Sequence, residues 1–192
     1  MSATTVAIMG STGSIGKQTL EIIQEHRDEF EVVALGAAKS VELMVEQAIK
    51  HEPKVVAIAD ASLEKEIRHK LPSHTEVIAG PESLVEASSI SDVVINGVVG
   101  FAGLPITLAA LEAGKRLGLA NKESLIAAGP LIQNFRSIEG AELIPVDSEH
   151  CAIHQCLGVN PNPESISRIV LTASGGPFRG MSTRELLNVS IE

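Results

Sequence analysis

Two carboxylates, Asp147 and Glu149, stand two residues apart in Pro145-Val146-Asp147-Ser148-Glu149-His150, at the end of an apolar run. In an extended segment side chains alternate, so both acids project to one face and Ser148 to the other. Like charges held that close repel unless a cation lies between them. Oxygen ligands without sulfur select a hard divalent ion, Mg²⁺ or Mn²⁺, over zinc. A solvated acidic turn would show the same spacing. His150, Cys151, His154 and Cys156 follow, and a helix would put His150 and His154 on one face. No second Cys or His pair follows at zinc-finger spacing, which points away from zinc.

A second constellation lies near the N-terminus. Val6-Ala7-Ile8-Met9 leads into Gly10-Ser11-Thr12-Gly13-Ser14-Ile15-Gly16, a strand, a tight turn and a helix start. The glycines follow G-x-x-G-x-x-G, a relative of the dinucleotide pattern G-x-G-x-x-G. Gly10 can take a backbone conformation closed to other residues, and Gly13 lets the chain approach a pyrophosphate. The N–H groups and partial positive charge of a helix N-terminus favour an anion there. A glycine-rich turn with no ligand is the plain alternative; the position between strand and helix favours nucleotide binding. The end of the second strand reads Gly36-Ala37-Ala38-Lys39-Ser40. A carboxylate there would bind the ribose hydroxyls of NAD. A lysine attracts a 2′-phosphate instead, so Lys39 favours NADPH over NADH, unless it is merely an exposed lysine.

Three later loops follow strand-like runs. Gly97-Val98-Val99-Gly100-Phe101-Ala102-Gly103 lies where open α/β sheets bind ligands. Leu119-Ala120-Asn121-Lys122-Glu123-Ser124 offers an amide, a cation and a carboxylate; alternatively, Asn121 is only a helix N-cap with Glu123 in the first turn. Thr172-Ala173-Ser174-Gly175-Gly176-Pro177-Phe178-Arg179 exposes N–H groups and a hydroxyl that could take a phosphate, or forms an ordinary turn.

These loops need strands and helices to place them. Strand candidates are Thr5–Met9, Glu31–Ala37, Val55–Ala59, Glu76–Ala79, Val93–Asn96, Arg116–Leu119, Glu142–Val146 and Arg168–Ala173. The clearest helices between them are Ser14–His26, Val41–His51, Ser62–Lys70, Pro105–Ala113 and Leu131–Ile138, with a short one over 183–188. The alternation predicts an α/β fold, a Rossmann-type doubly wound parallel sheet followed by the start of a second α/β catalytic domain. The boundary is expected near Pro145, giving domains 1–145 and 146–192. Pro53, Pro72, Gly80-Pro81 and a capping Gly114 fall where breaks are needed, and Asn160-Pro161-Asn162-Pro163 reads as a loop. The chain stops after Ser190-Ile191-Glu192 with no closing element, as a truncated polypeptide would.

Composition narrows the function. With 44% hydrophobic residues the chain can bury a core. A net charge of −9, with no Trp or Tyr, argues against a nucleic-acid partner. No apolar run is long enough for a bilayer, and no basic region precedes the first strand, so neither membrane span nor signal peptide is expected. Two cysteines so close together do not suggest a disulfide framework.

Taken together, GSTGSIG from Gly10, LANKESL from Leu119, PVDSEH from Pro145 and LTASGGPFR from Leu171 closely resemble 1-deoxy-D-xylulose 5-phosphate reductoisomerase. The resemblance spans nearly the whole chain in the family's order. It implies an NADPH enzyme of non-mevalonate isoprenoid synthesis, a cytoplasmic homodimer using Mg or Mn, that isomerises and reduces its phosphosugar to 2-C-methyl-D-erythritol 4-phosphate. It implies that Thr12, Gly13, Ser14 and Ile15 contact NADPH, with Lys39 near the 2′-phosphate and Asn121 and Glu123 facing the cofactor. Lys122, Ser148 and Ser174 would bind the phosphosugar. Asp147 and Glu149 would hold the metal, with Glu149 also close to substrate and, like Lys122, catalytic. The family often has Gly-Lys-Asn where this chain has Ala38-Lys39-Ser40, and Cys151 and His154 are departures read as packing changes. The family's third metal carboxylate, a substrate histidine and further phosphate ligands lie downstream of Glu192, so these residues alone are expected to be inactive. Two other readings are another NADP-dependent dehydrogenase, such as a semialdehyde dehydrogenase with a nucleophilic cysteine, and a non-catalytic NADPH-binding module.

Overall fold

Seven short aliphatic runs form one sheet: β1 (Thr4–Met9), β2 (Phe30–Ala37), β3 (Val55–Ile58), β4 (Glu76–Ala79), β5 (Val93–Asn96), β6 (Arg116–Leu119) and β7 (Glu142–Pro145). The computed structural model describes residues 2–135, 137–158, 162–172 and 174–190. All six pairings are parallel, in the order β4-β3-β2-β1-β5-β6-β7. The order reverses beside β1: the chain builds outward to β4, then crosses to the other side for β5. This is the doubly wound arrangement expected from the alternation of elements.

Parallel strands are buried on both faces and so read as continuous apolar runs. Val6 and Ile8 of β1 join one core with Val32, Leu35, Val56 and Ile58; Ala7 and Met9 join the other with Ala34, Ala57, Val94 and Leu117. The first core is closed by α1 (Ser14–Glu25), α2 (Val41–His51) and α3 (Glu64–Lys70), through Leu20, Ile23, Met44, Ala48 and Ile67. The second is closed by α4 (Ser83–Ser88), α5 (Leu104–Glu112) and α6 (Lys122–Phe135), through Leu84, Ala87, Ile106, Leu111 and Ile132. Ile8 is fully buried, and truncating such a side chain to alanine costs about 2–5 kcal/mol.

The helix boundaries follow local chemistry. After α5, Gly114 adopts φ +67°, its N–H donates to Leu111 and that of Lys115 donates to Ala110, the paired bonds of a Schellman stop. Three expectations need correction. Helix α4 is additional to the helices expected and begins just after the Gly80-Pro81 break. Helix α6 begins at Lys122, ahead of the segment expected from Leu131, and its backbone breaks from helical geometry at Ala128, just before Gly129-Pro130, so two helical segments meet there. The first turn expected over 62–70 is a 3-10 turn, Ala61–Leu63, capped by Asp60.

Residues Met1–Asp147 and Ser148–Glu192 form two compact units. The second contains α7 (Ser148–Leu157), 3-10 turns at Pro163–Ser165 and Gly176–Phe178, and α8 (Thr183–Leu186), whose Ser182 and Glu185 form a capping box. The strand expected over 168–173 is absent among the described residues. Ile169, Val170 and Leu171 are exposed, and no described strand of this unit offers their backbone a partner. Ala173 lies outside the described residues, as do Asn160-Pro161 of the expected loop and the terminal Ile191-Glu192; Asn162 caps the Pro163–Ser165 turn. Among the described residues no helix is long and apolar enough to cross a membrane.

Candidate cofactor-binding site

Every strand runs the same way, so their C-terminal ends share one edge of the sheet. Gly10 follows β1, Lys39 lies just past β2, Asp60 past β3, Gly97 follows β5 and Asn121 lies just past β6. Val146 N–H still donates to Leu119, 2.9 Å, so Asp147 comes directly after the last ladder bond of β7. The topology thus gathers Thr12–Ile15, Lys39, Asn121–Glu123 and Asp147 along this edge, where open α/β sheets receive ligands.

The turn after β1 is built to stay in place. Gly10 has φ +87°, and a Cβ there would lie 2.8 Å from the carbonyl carbon of Gly97. Gly10 and Ser11 both donate to the carbonyl of Gly36, at 2.8 and 2.9 Å. From behind, the buried Gln47 amide donates to Ser11 O at 2.9 Å. Gly13 is the N-cap of α1 in extended backbone, and the first helical bond runs from Lys17 to Gly13. The N–H groups of Ser14, Ile15 and Gly16 precede it, and no carboxylate occupies that first turn. A Cβ on Gly16 would lie 2.4 Å from Ser11 Cα, so the third glycine lets helix and turn pack closely. Gly13 and Ser14 are exposed, whereas Ile15 is half-buried and lies against Gly97.

The facing wall is the loop after β5, held by two buried amides. Asn96 donates to Gly103 O and Thr107 Oγ1 and accepts from Val98 N–H. Asn121 donates to Val98 O at 2.6 Å and Gly100 O at 2.5 Å, while its Oδ1 accepts from Ser124 N–H at 3.0 Å. At 3% exposure the side chain caps α6 and latches the wall. Gly103 leaves room for it: a Cβ there would meet Nδ2 at 2.3 Å. Asn96 is the one polar residue in Val93-Val94-Ile95-Asn96, and that is the signal by which the sequence marks it.

Between the two walls lies a cleft of about 450 Å³, with Gly10, Thr12 and Gly13 on one side and Gly97, Val98 and Val99 on the other. Ala37, Ala38, Ala59, Pro81 and Leu84 extend it beneath β2 and β3. A second cavity, about 500 Å³, is lined by Leu111, Leu125, Ile132, Phe135 and Leu143, away from any glycine turn. Lys39 is exposed, next in sequence to Ala38 of the cleft lining, its Nζ 3.9 Å from Asp60 Oδ2. Hydrogen bonds from the Ser62 hydroxyl and N–H, with a lesser contribution from Lys39, hold the Asp60 carboxyl below the ordinary carboxylate value.

The acidic segment differs from its expectation. It is not extended: α7 starts at Ser148, so Asp147 precedes the helix and Glu149 lies in its first turn. The strand-like alternation expected to put both acids on one face does not apply, because Ser148-Glu149 satisfies a helix N-terminus. Ser148 Oγ donates to Glu149 Oε2 at 3.1 Å. Asp147 closes the first unit, while Ser148, Glu149 and Ser174 belong to the second. Ser174 is exposed and accepts from Gly176 N–H at 3.4 Å. Lys122 and Glu123 are exposed at the start of α6.

The cleft suits a dinucleotide by its chemistry: glycine backbone and helix N–H groups are anion donors, the remaining walls are largely apolar, and Lys39 stands beyond β2. For a metal, Asp147 and Glu149 are hard-ion donors by type. Among the described residues no three His, Cys, Asp or Glu side chains converge to hold one, so any ion would need further ligands.

The comparisons agree with this architecture. The family model for 1-deoxy-D-xylulose 5-phosphate reductoisomerase matches residues 6–129, and that for the same enzyme's C-terminal domain matches residues 143–192. The reductoisomerase of Prochlorococcus marinus strain MIT 9313 is 47% identical over 96% of this chain and 50% of its own length. That of Caldanaerobacter subterraneus is 44% identical over 96% of this chain and 48% of its own. The solved Zymomonas mobilis enzyme in complex with NADPH superposes with a TM-score of 0.86 at 42% identity, covering 98% of this chain and 50% of that one. A reductoisomerase structure with NADPH, fosmidomycin and magnesium gives 0.82 at 36% identity, covering 97% of this chain and 49% of that one. The chain spans about half the length of the relatives it matches. The semialdehyde dehydrogenase alternative falls away, for both cysteines sit on α7 within a matched reductoisomerase segment. Glycine turn and acidic segment lie within those matches, and the chain belongs to the 1-deoxy-D-xylulose 5-phosphate reductoisomerase family.

Proposed function

We propose that this chain provides the NADPH cleft, and the start of the metal and substrate region, of an enzyme that converts 1-deoxy-D-xylulose 5-phosphate to 2-C-methyl-D-erythritol 4-phosphate. The observation that carries this reading is the glycine-walled cleft between β1 and β5, with Lys39 at the end of β2. Thr12, Gly13, Ser14 and Ile15 bind the pyrophosphate through the open start of α1, and Lys39 pairs with the 2′-phosphate. Asn121 faces the cofactor and also keeps the facing wall in position. Glu123 faces the cofactor.

Lys122, Ser148, Glu149 and Ser174 bind the phosphosugar, with Lys122 stabilising negative charge that develops on its oxygen. Asp147 and Glu149 are the residues that would hold Mg²⁺ or Mn²⁺. NADPH supplies a hydride, and a divalent ion polarises the sugar carbonyl. Residues 1–145 act as the cofactor domain and 146–192 begin the catalytic domain. By family resemblance the whole protein is a cytoplasmic homodimer.

The test is NADPH oxidation with deoxyxylulose phosphate and Mg²⁺ or Mn²⁺. A chain of the relatives' length carrying this sequence should turn over, and the 192 residues alone should not. Loss of turnover in the long chain, or robust turnover by the 192 residues, overturns the reading.

A further inference from the structure

Asp60 stands where β3 ends, one residue past Ala59 of the cleft wall. Its Oδ1 accepts from Ser62 N–H at 3.1 Å and Ser62 Oγ at 2.6 Å. Its own N–H donates to Ala38 O at 3.2 Å, tying it to the turn that carries Lys39. The carboxylate therefore cannot swing away without breaking the cap on the Ala61–Leu63 turn. Lys39 is under no such restraint: its side chain is 78% exposed, against 32% for Asp60, and the pair spans 3.9 Å. Such a pair is weak in water, and a long lysine leaves it easily.

A 2′-phosphate arriving at Lys39 brings about two negative charges. It must draw the ammonium from Asp60 and then remain beside a carboxylate fixed in place. A 2′-hydroxyl meets neither obstacle. We propose that Asp60 is a specificity-determining residue that opposes Lys39, restraining the preference for the 2′-phosphorylated cofactor over NADH. The proposal rests on the reading of Lys39 given above.

Dissociation constants for NADPH and NADH, read from nicotinamide fluorescence at low and raised salt, test both. Asp60→Asn keeps an acceptor for Ser62, and Asp60→Ser supplies a second capping variant. Both should tighten NADPH about three- to tenfold, shift NADH by no more than about twofold, and lose the gain as salt screens the charges. Lys39→Met should weaken NADPH selectively. If Lys39→Met spares NADPH, the reading of Lys39 fails and the role of Asp60 fails with it. If Lys39→Met behaves as expected while both Asp60 variants leave NADPH unchanged or weaker, only the opposition is overturned.

Discussion

The side-chain amide of Asn121 lies 2.6 Å from the carbonyl oxygen of Val98, so the turn after β6 holds the wall formed after β5. The same Nδ2 reaches Gly100, and Oδ1 caps α6 through Ser124. Within a motif that reads as ligand-binding, this residue also latches two loops at the edge of one cleft.

Asn121→Ala removes that latch. Two carbonyls lose their partner and α6 loses its cap, which should cost about 2–4 kcal/mol of stability. Gly103→Ala should destabilise as well, since its Cβ would occupy the amide's place. Urea unfolding checks both; a loss below about 0.5 kcal/mol in either variant contradicts the latch.

The first two glycines of the turn separate fold from binding. Gly10→Ala forces a positive φ on alanine and drives Cβ into Gly97, so it should cost about 2–4 kcal/mol. Gly13 has ordinary extended backbone, and its nearest neighbour to a Cβ is Gly10 O at 3.3 Å. Gly13→Ala should therefore leave stability within about 1 kcal/mol while weakening NADPH roughly tenfold or more. Parallel melting and binding curves decide, and equal behaviour of the two variants would refute the distinction.

Lys39→Glu places a second carboxylate where the 2′-phosphate is proposed to sit. NADPH should weaken by about 10- to 100-fold, with NADH much less affected. Calorimetry with both cofactors measures this, and equal losses would remove Lys39 from the 2′ position.

At the opposite edge of the sheet, Asp92 accepts from Thr5 Oγ1 at 2.7 Å and Thr5 N–H at 3.0 Å, and returns its own N–H to Thr5 Oγ1. These bonds, the hydroxyl first, hold the Asp92 carboxyl below its ordinary 3.8. A depressed carboxylate contributes stability above its unfolded value and loses it as pH falls through the native one. Asp92→Asn should therefore reduce stability at neutral pH and flatten the acid limb below about pH 4. Thr5→Val should move the Asp92 titration upward by NMR; an unmoved titration argues against the clasp.

Much of this was legible beforehand, for physical reasons that differ by residue. Short β-branched runs such as Val93-Val94-Ile95, regularly spaced between amphipathic segments, read as strands of a covered sheet, and Gly10-x-x-Gly13 between strand and helix admits few structures. Strand Arg168–Ala173 was misread because a β-branched run specifies a strand only where a neighbour pairs with it. Asp147 and Glu149 were recognised as a pair, but their extended geometry was wrong because Ser148-Glu149 is also a good helix start. Asp60 meets Lys39 and Ala38 only because β2 and β3 pair side by side, and no spacing rule reports that contact.

The central claim is that an NADPH pyrophosphate lies between the turns after β1 and β5. Backbone amide NMR of this chain titrated with NADPH measures that directly. Saturable shifts should concentrate at Gly10, Thr12, Gly13, Ser14 and 97–99, with Lys39 perturbed by NADPH and little by NADH. Saturable shifts centred elsewhere, or none at these amides, would contradict it.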